Sequence, residues 1–349
     1  MNKQALETIA QAMVTDGKGI LAADESTGTI KKRFDSINVD STEDNRRDYR
    51  EMLFRTEDAM REHISGVILF DETLRQKAAD GTPLAQVIAD TGALPGIKVD
   101  AGAKPMAGHD GEMVTEGLDG LRDRLNEYHE LGAKFAKWRA VINIADGLPS
   151  AACLAANTHA LARYAALCQE AEIVPIVEPE VIMDGTHTVE RCYEVTTAAL
   201  TSLYEQLGQQ GVHLEGTILK PNMVVSGTEN SVQAGLEQVA EMTLDCFHKC
   251  VPEAVPGIVF LSGGQSDHDA TAHLDAMNKI GGLSWKLSFS YGRALQAAPL
   301  KAWGGKAENT ATAQAAFAHR AKMNGLAARG AWSADMESVS YTHLTLPTT

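Results

Sequence analysis

The chain has 349 residues, 44% hydrophobic and 22% charged, the balance of a folded globular protein with room for one large domain or two ordinary ones. A formal net charge of -15 opposes non-specific attraction to nucleic acid or to an anionic membrane surface. No stretch approaches the roughly 18 apolar residues of a membrane span, and five scattered cysteines without a CxxC pair support neither a zinc knuckle nor a disulfide framework.

The N-terminal stretch, residues 3–15, is amphipathic, lacks a signal-peptide core and closes at Gly17. With scattered cysteines, this makes the cytoplasm the expected location. Then an apolar run, Gly19 to Ala23, ends in Asp24. Seven more follow: GVILFD from 66, GIKVD from 96, FAKWRAVI from 135, IVPIVEPE from 173, GTILKPN from 216, GIVFLSG from 257 and WKLSFSYG from 285. Most are continuous rather than alternating, which suits parallel strands covered on both faces. Helical patterns separate them: one opening at Ser41-Thr42-Glu43-Asp44 and running to about 62, one over 118–131 ending at Gly132, and Ala/Leu-rich ones near 150–171, 188–210, 231–249, 266–280 and 308–329.

Eight strand-plus-helix units predict a (β/α)8 barrel in one domain. The competing architecture is a doubly wound open sheet, but no GxGxxG follows any early strand.

Chemistry on such a barrel belongs at the C-terminal ends of its strands. Those ends carry Asp24, Lys98, the pair Lys137 and Arg139, the pair Glu178 and Glu180, Lys220, Ser262 with Gly263 and Gly264, and Ser290 with Gly292 and Arg293. A spacing of two returns to the same side of a strand, so each pair shares a face. Ionised groups cost free energy against apolar walls unless paired, so such a ring reads as a site. Glycine amides and an arginine fork after a strand suit a phosphate; Lys98 with Arg33 would suit a second. The expected ligand is a small anionic substrate.

Gly216-Thr217-Ile218-Leu219-Lys220-Pro221-Asn222 focuses the reading. Pro221 ends the strand just after Lys220, which leaves an amine at the mouth of an apolar wall. An isolated lysine is far more often a solvated surface residue. Among these strand ends it becomes a candidate Schiff-base nucleophile, because burial disfavours charged amines and a neutral amine attacks carbonyls. Glu178 would move the protons of carbinolamine formation and dehydration, and Lys137 would add a like charge nearby.

The stretches LAADESTGTI, GVILFDET, GIKVD, FAKWR, VPIVEPE, EGTILKPNMV, FLSGGQS, FSYGRALQ and KAWGGK together resemble class I fructose-bisphosphate aldolase over about residues 1–337. That resemblance implies a (β/α)8 barrel, usually a homotetramer. It implies cleavage of fructose 1,6-bisphosphate to dihydroxyacetone phosphate and glyceraldehyde 3-phosphate through a lysine Schiff base, without metal or other cofactor. By the same resemblance Lys220 is the Schiff-base lysine, Glu178 the general acid and base supported by Glu180, and Asp24 a contact to substrate hydroxyls with a share in proton handling. Lys137 and Arg139 flank the reacting carbons and the 6-phosphate side. Lys98, Ser26 and Thr29 face the 6-phosphate. Ser262, Gly263, Gly264, Ser290, Gly292 and Arg293 hold the 1-phosphate with help from Arg33.

Two departures stand out. Ala101 occupies a position where animal members have a lysine. Residues 338–349, SVSYTHLTLPTT, look foreign to what precedes them, so Tyr341 is not expected to act as the C-terminal tyrosine of the animal enzymes and the tail is expected to be disordered. A metal-dependent aldolase would need converging imidazoles, and the eleven histidines include no HxH or HxxxH pair. A transaldolase-like barrel would not need two phosphate cradles, and a phosphate-binding isomerase would not need Lys220. A catalytically silent scaffold would have lost one of Lys220, Glu178 or Asp24.

Overall fold

The computed structural model describes residues 1–338. Residues 339–349, and with them nearly all of the expected tail including Tyr341, lie outside the described residues.

Eight parallel strands close on themselves: β1 (Gly19–Ala23), β2 (Ile64–Leu69), β3 (Leu94–Lys98), β4 (Phe135–Ile142), β5 (Val174–Val181), β6 (Ile218–Leu219), β7 (Gly257–Phe260) and β8 (Lys286–Tyr291). Each strand pairs with its neighbours in sequence, and β8 returns to β1 through Ile20 opposite Ser290. The (β/α)8 barrel expected from the eight apolar runs is what forms, in place of an open sheet.

Two layers of apolar side chains bury the strands. Inside the barrel, Ile20, Ala22, Ile68, Phe135, Val174, Ile176, Ile218 and Val259 form one cluster with Leu6, Ala10, Met13 and Val14. The last four belong to or just follow the first helix, Lys3–Met13, whose apolar stripe packs under the strand N-termini. Ser65 ties it there by donating to the Met13 carbonyl at 2.6 Å. One mouth of the barrel is therefore floored with hydrocarbon. Phe135 fills the lower lumen because its neighbours are glycines: a Cβ on Gly96 would lie 2.3 Å from its ring and one on Gly66 2.8 Å. Outside, the helices cover the other face through one continuous apolar cluster.

The helical patterns hold, with differences of detail. The expected helix to residue 62 is two, Glu43–Phe54 and Glu57–His63, broken at Arg55-Thr56, and its cap is Thr42, which accepts from Asn45 N at 3.1 Å. Short helices at Thr27–Asp35, Asp71–Arg75 and Leu84–Ala89, the helix Arg293–Trp303, and a hairpin pairing Ala103–Pro105 with Met113–Thr115 were not anticipated. The shortest of these have too few residues to display a period. Among the described residues, no helix is long and apolar enough to cross a membrane.

Candidate active site

Along each strand the side chains alternate between lumen and helices. Ile176 lies in the apolar lumen layer, so Glu178 and Glu180 rise above it on the same face of β5. Phe135 does the same for Lys137 and Arg139 on β4, and Ile218 for Lys220 at the end of β6. Asp24 follows the last residue of β1. The strand register sets Arg139 opposite Glu178 and Lys98 opposite Lys137.

This brings four of the expected residues into one buried ion network. Lys137 Nζ lies 2.8 Å from Asp24 Oδ2 and 3.3 Å from Glu178 Oε2. Glu178 Oε1 lies 3.4 Å from Lys220 Nζ. The Glu178 Oε2 contact is an ion pair rather than an aligned hydrogen bond, since that oxygen is buried without a hydrogen-bond donor among the described residues. Lys137, Glu178 and Lys220 are each at most 4% exposed, so their charges act on one another with little screening by water.

The electrostatics follow from that burial. Desolvation alone would raise the Asp24 carboxyl, but Lys137, Lys220 and Lys98 outweigh it and hold it well below the ordinary range. Desolvation alone would lower Lys137, but Asp24 and Glu178 carry it well above the ordinary lysine value. The like charge expected of Lys137 is thus largely taken up by two carboxylates. Arg139 is raised likewise, burial being outweighed by Glu180, which its Nε contacts.

The remaining expected residues rim this network. Lys98, at the end of β3, lies 3.5 Å from Asp100. Ser26 caps the helix Thr27–Asp35, accepting from Thr29 N at 3.4 Å, and its Oγ lies 3.1 Å from Thr29 Oγ1. Ser262 follows β7 and is buried; Gly263 has φ +57°, in the left-handed region that glycine enters without strain. Arg293 Nη2 donates to the Gly263 carbonyl and so joins the loops after β7 and β8. Ser290 Oγ is buried and has no hydrogen-bond partner among the described residues. Arg33 lies on this side: a Cβ on Gly292 would be 3.6 Å from its Nη2. Glu25 holds the Arg33 guanidinium on this side, where the resemblance has Arg33 assist the 1-phosphate.

Three supporting groups escaped the sequence reading. Asn222 is buried: its Oδ1 accepts from Val181 N at 3.0 Å, and its Nδ2 donates to Thr196 Oγ1 and the Met223 carbonyl, each at 3.1 Å. It ties the end of β5 to the segment after β6. Asp100 accepts from Arg139 N at 3.2 Å. Buried Glu25 takes Gln296 Nε2 at 2.8 Å, and its carbonyl accepts from Arg50 Nη2 at 2.9 Å. Asn222 and Asp100 stand inside motifs already singled out, KPN and KVD; Glu25 and Gln296 also stand inside quoted motifs, but their contact spans 271 positions.

A profile of the family described as fructose-bisphosphate aldolase class-I matches residues 5–346. The chain belongs to the class I fructose-bisphosphate aldolase family. It is 60% identical over 333 residues to a probable fructose-bisphosphate aldolase class 1 of Xanthomonas campestris pv. campestris, covering 95% of this chain and 99% of that one. It is 52% identical to cytosolic fructose-bisphosphate aldolase 4 of Arabidopsis thaliana, covering 95% and 85%. A crystal structure of fructose-bisphosphate aldolase from Plasmodium falciparum, in complex with TRAP and a small-molecule inhibitor, superposes with a TM-score of 0.93 at 46% identity, covering 95% and 96%. Class I aldolases are carbon–carbon lyases, and seven of the nine aldolase motifs quoted from the sequence carry residues of the buried ion network or its rim.

Proposed function

We propose that this aldolase cleaves fructose 1,6-bisphosphate reversibly through an imine on Lys220, with no metal or other cofactor. The observation that carries the reading is the Lys220–Glu178–Lys137–Asp24 network, buried at one end of a barrel whose other end is floored with hydrocarbon. Lys220 Nζ attacks the C2 carbonyl, and Glu178 protonates the departing hydroxyl, which leaves as water. The iminium then draws the electrons of the C3–C4 bond as a base takes the C4 hydroxyl proton, releasing glyceraldehyde 3-phosphate and an enamine. Protonation at C3 and hydrolysis of the imine release dihydroxyacetone phosphate and restore the amine.

Asp24 and Lys137 face the hydroxyls near the scissile bond in this reading, and Glu180 steadies Arg139. Lys98, Ser26, Thr29 and Arg139 attend the 6-phosphate. Ser262, Gly263, Gly264, Ser290, Gly292, Arg293 and Arg33 form the 1-phosphate cradle, supported by the left-handed turn at Gly263 and the Ser290 hydroxyl, which has no partner among the described residues. A homotetramer in the cytoplasm, outside any membrane or nucleic-acid complex, accompanies the proposal by family resemblance. The test is borohydride reduction with dihydroxyacetone phosphate followed by peptide mapping. The adduct is expected on Lys220; an adduct on another lysine, or none, overturns the mechanism.

A further inference from the structure

The Gly264 amide, central to the proposed cradle, already has a partner in the protein: its N–H donates to Met183 Sδ at 2.8 Å. A Cβ on Gly263 or Gly264 would lie 3.1 or 3.2 Å from the same sulfur, so the thioether sits directly against this turn. A thioether is a weak acceptor, whereas a phosphate oxygen forms a charge-assisted bond roughly twice as strong as a neutral one.

The backbone that carries Met183 is pinned. Thr228 N donates to the Met183 carbonyl at 2.8 Å, Glu229 N to the Gly185 carbonyl at 2.9 Å and Gly227 N to the His187 carbonyl at 2.8 Å. The two loops approach so closely that a Cβ on Gly227 would lie 2.3 Å from the Gly185 oxygen. The loop therefore has little freedom, but the methionine side chain turns about three single bonds. It also has a destination. Beside it lies a cavity of about 500 Å³, with Val225, Leu236, Val239 and Ala272 among its lining groups together with Met183 and Gly264.

We propose that Met183 is a side-chain gate on the 1-phosphate cradle, capping the Gly264 amide until a phosphate takes that amide and the thioether swings into the neighbouring cavity. The proposal rests on the cradle reading above and adds to it a residue that sets how strongly a C1 phosphate is held. Binding of that phosphate includes the work of displacing Met183, so removing the thioether tightens it. A substrate without a C1 phosphate has no reason to open the gate.

The test compares wild type with Met183→Ala, and with Met183→Leu, which preserves apolar volume but drops the acceptor. The KM for fructose 1-phosphate is expected to fall about threefold to tenfold in Met183→Ala, the scale of one hydrogen bond, and in the same direction in Met183→Leu. The KM for fructose 6-phosphate is expected to stay within about twofold by the same scale. In protein carrying ¹³C-methyl methionine, the Met183 methyl resonance, assigned by its loss in Met183→Leu, is expected to move saturably as inorganic phosphate is added. If phosphate competes with fructose 1-phosphate while that resonance and both KM values stand still, the gate is wrong and the cradle survives. An equal fall in KM for both sugars also overturns the gate. If phosphate does not compete with fructose 1-phosphate at all, the cradle itself falls and the gate with it.

Discussion

At the scale of single residues, Lys137 remains charged because Asp24 and Glu178 surround it, and Asp24 is held ionised by Lys137 in turn. Glu178→Gln keeps the side-chain shape but removes the proposed acid–base group and one counter-charge of Lys137. We expect kcat to fall about 10²- to 10⁴-fold, the usual contribution of a positioned acid–base group, measured by coupled assay of triose phosphate release. Asp24 makes a separate prediction about pH. Its folded pKa lies below the ordinary value of 3.8, so its contribution to stability is fully present above that value and is lost as pH falls below it. The stability gap between wild type and Asp24→Asn, measured by denaturant titration, should therefore be constant near neutrality and narrow below pH 3.8. A gap that widens on acidification would show that Asp24 is not held ionised by its lysines. Lys137 behaves oppositely: its contribution is present below its ordinary value of 10.5 and is lost only as pH climbs beyond it.

At the scale of elements, the proposed chemistry depends on how β5 and β6 are held together at their ends. β6 is only two residues long, Ile218–Leu219, so few ladder bonds hold it. Lys220 N still donates to the Val177 carbonyl at 2.9 Å, and Asn222 then bolts the following segment to Val181. Replacing Asn222 by Ala leaves buried Val181 N without its acceptor. That costs about 1–3 kcal/mol of stability and lets Lys220 shift relative to Glu178. We expect a lower denaturation midpoint and a kcat loss larger than any change in KM. A fully active variant of unchanged stability would show that Asn222 does not position the lysine.

At the scale of the whole molecule, two predictions concern what the enzyme does not need. In the proposed mechanism the imine on Lys220 serves as the electron sink, so EDTA should leave cleavage intact; loss of activity restored by zinc would overturn that mechanism. The C-terminal prediction turns on Glu337. Its carboxylate takes Arg320 Nη1 at 2.5 Å, Trp332 Nε1 at 3.1 Å and His319 Nε2 at 3.2 Å, an anchor among the described residues that precedes the unfamiliar sequence. Truncation after Glu337 keeps this anchor. It should change cleavage by less than about threefold, under about 0.7 kcal/mol of barrier. The family profile runs on to residue 346, which makes the experiment decisive. A hundredfold loss reproduced by Tyr341→Phe would assign the tail a working tyrosine.

The sequence by itself determined the barrel, since eight apolar runs separated by helix-length spacers have few other ways to bury both faces of each strand. It also determined which residues meet at the C-terminal ends of the strands, because strand periodicity puts Lys137 with Arg139 and Glu178 with Glu180 on shared faces. Only the tertiary structure decided how those charges are partnered. Lys137 sits between Asp24 and Glu178, and Arg33 sits beside Gly292 on Glu25, because pairing across strands depends on register and side-chain reach, which no local pattern encodes. It likewise decided the Met183–Gly264 contact, which joins loops 81 residues apart that meet only once the barrel has closed.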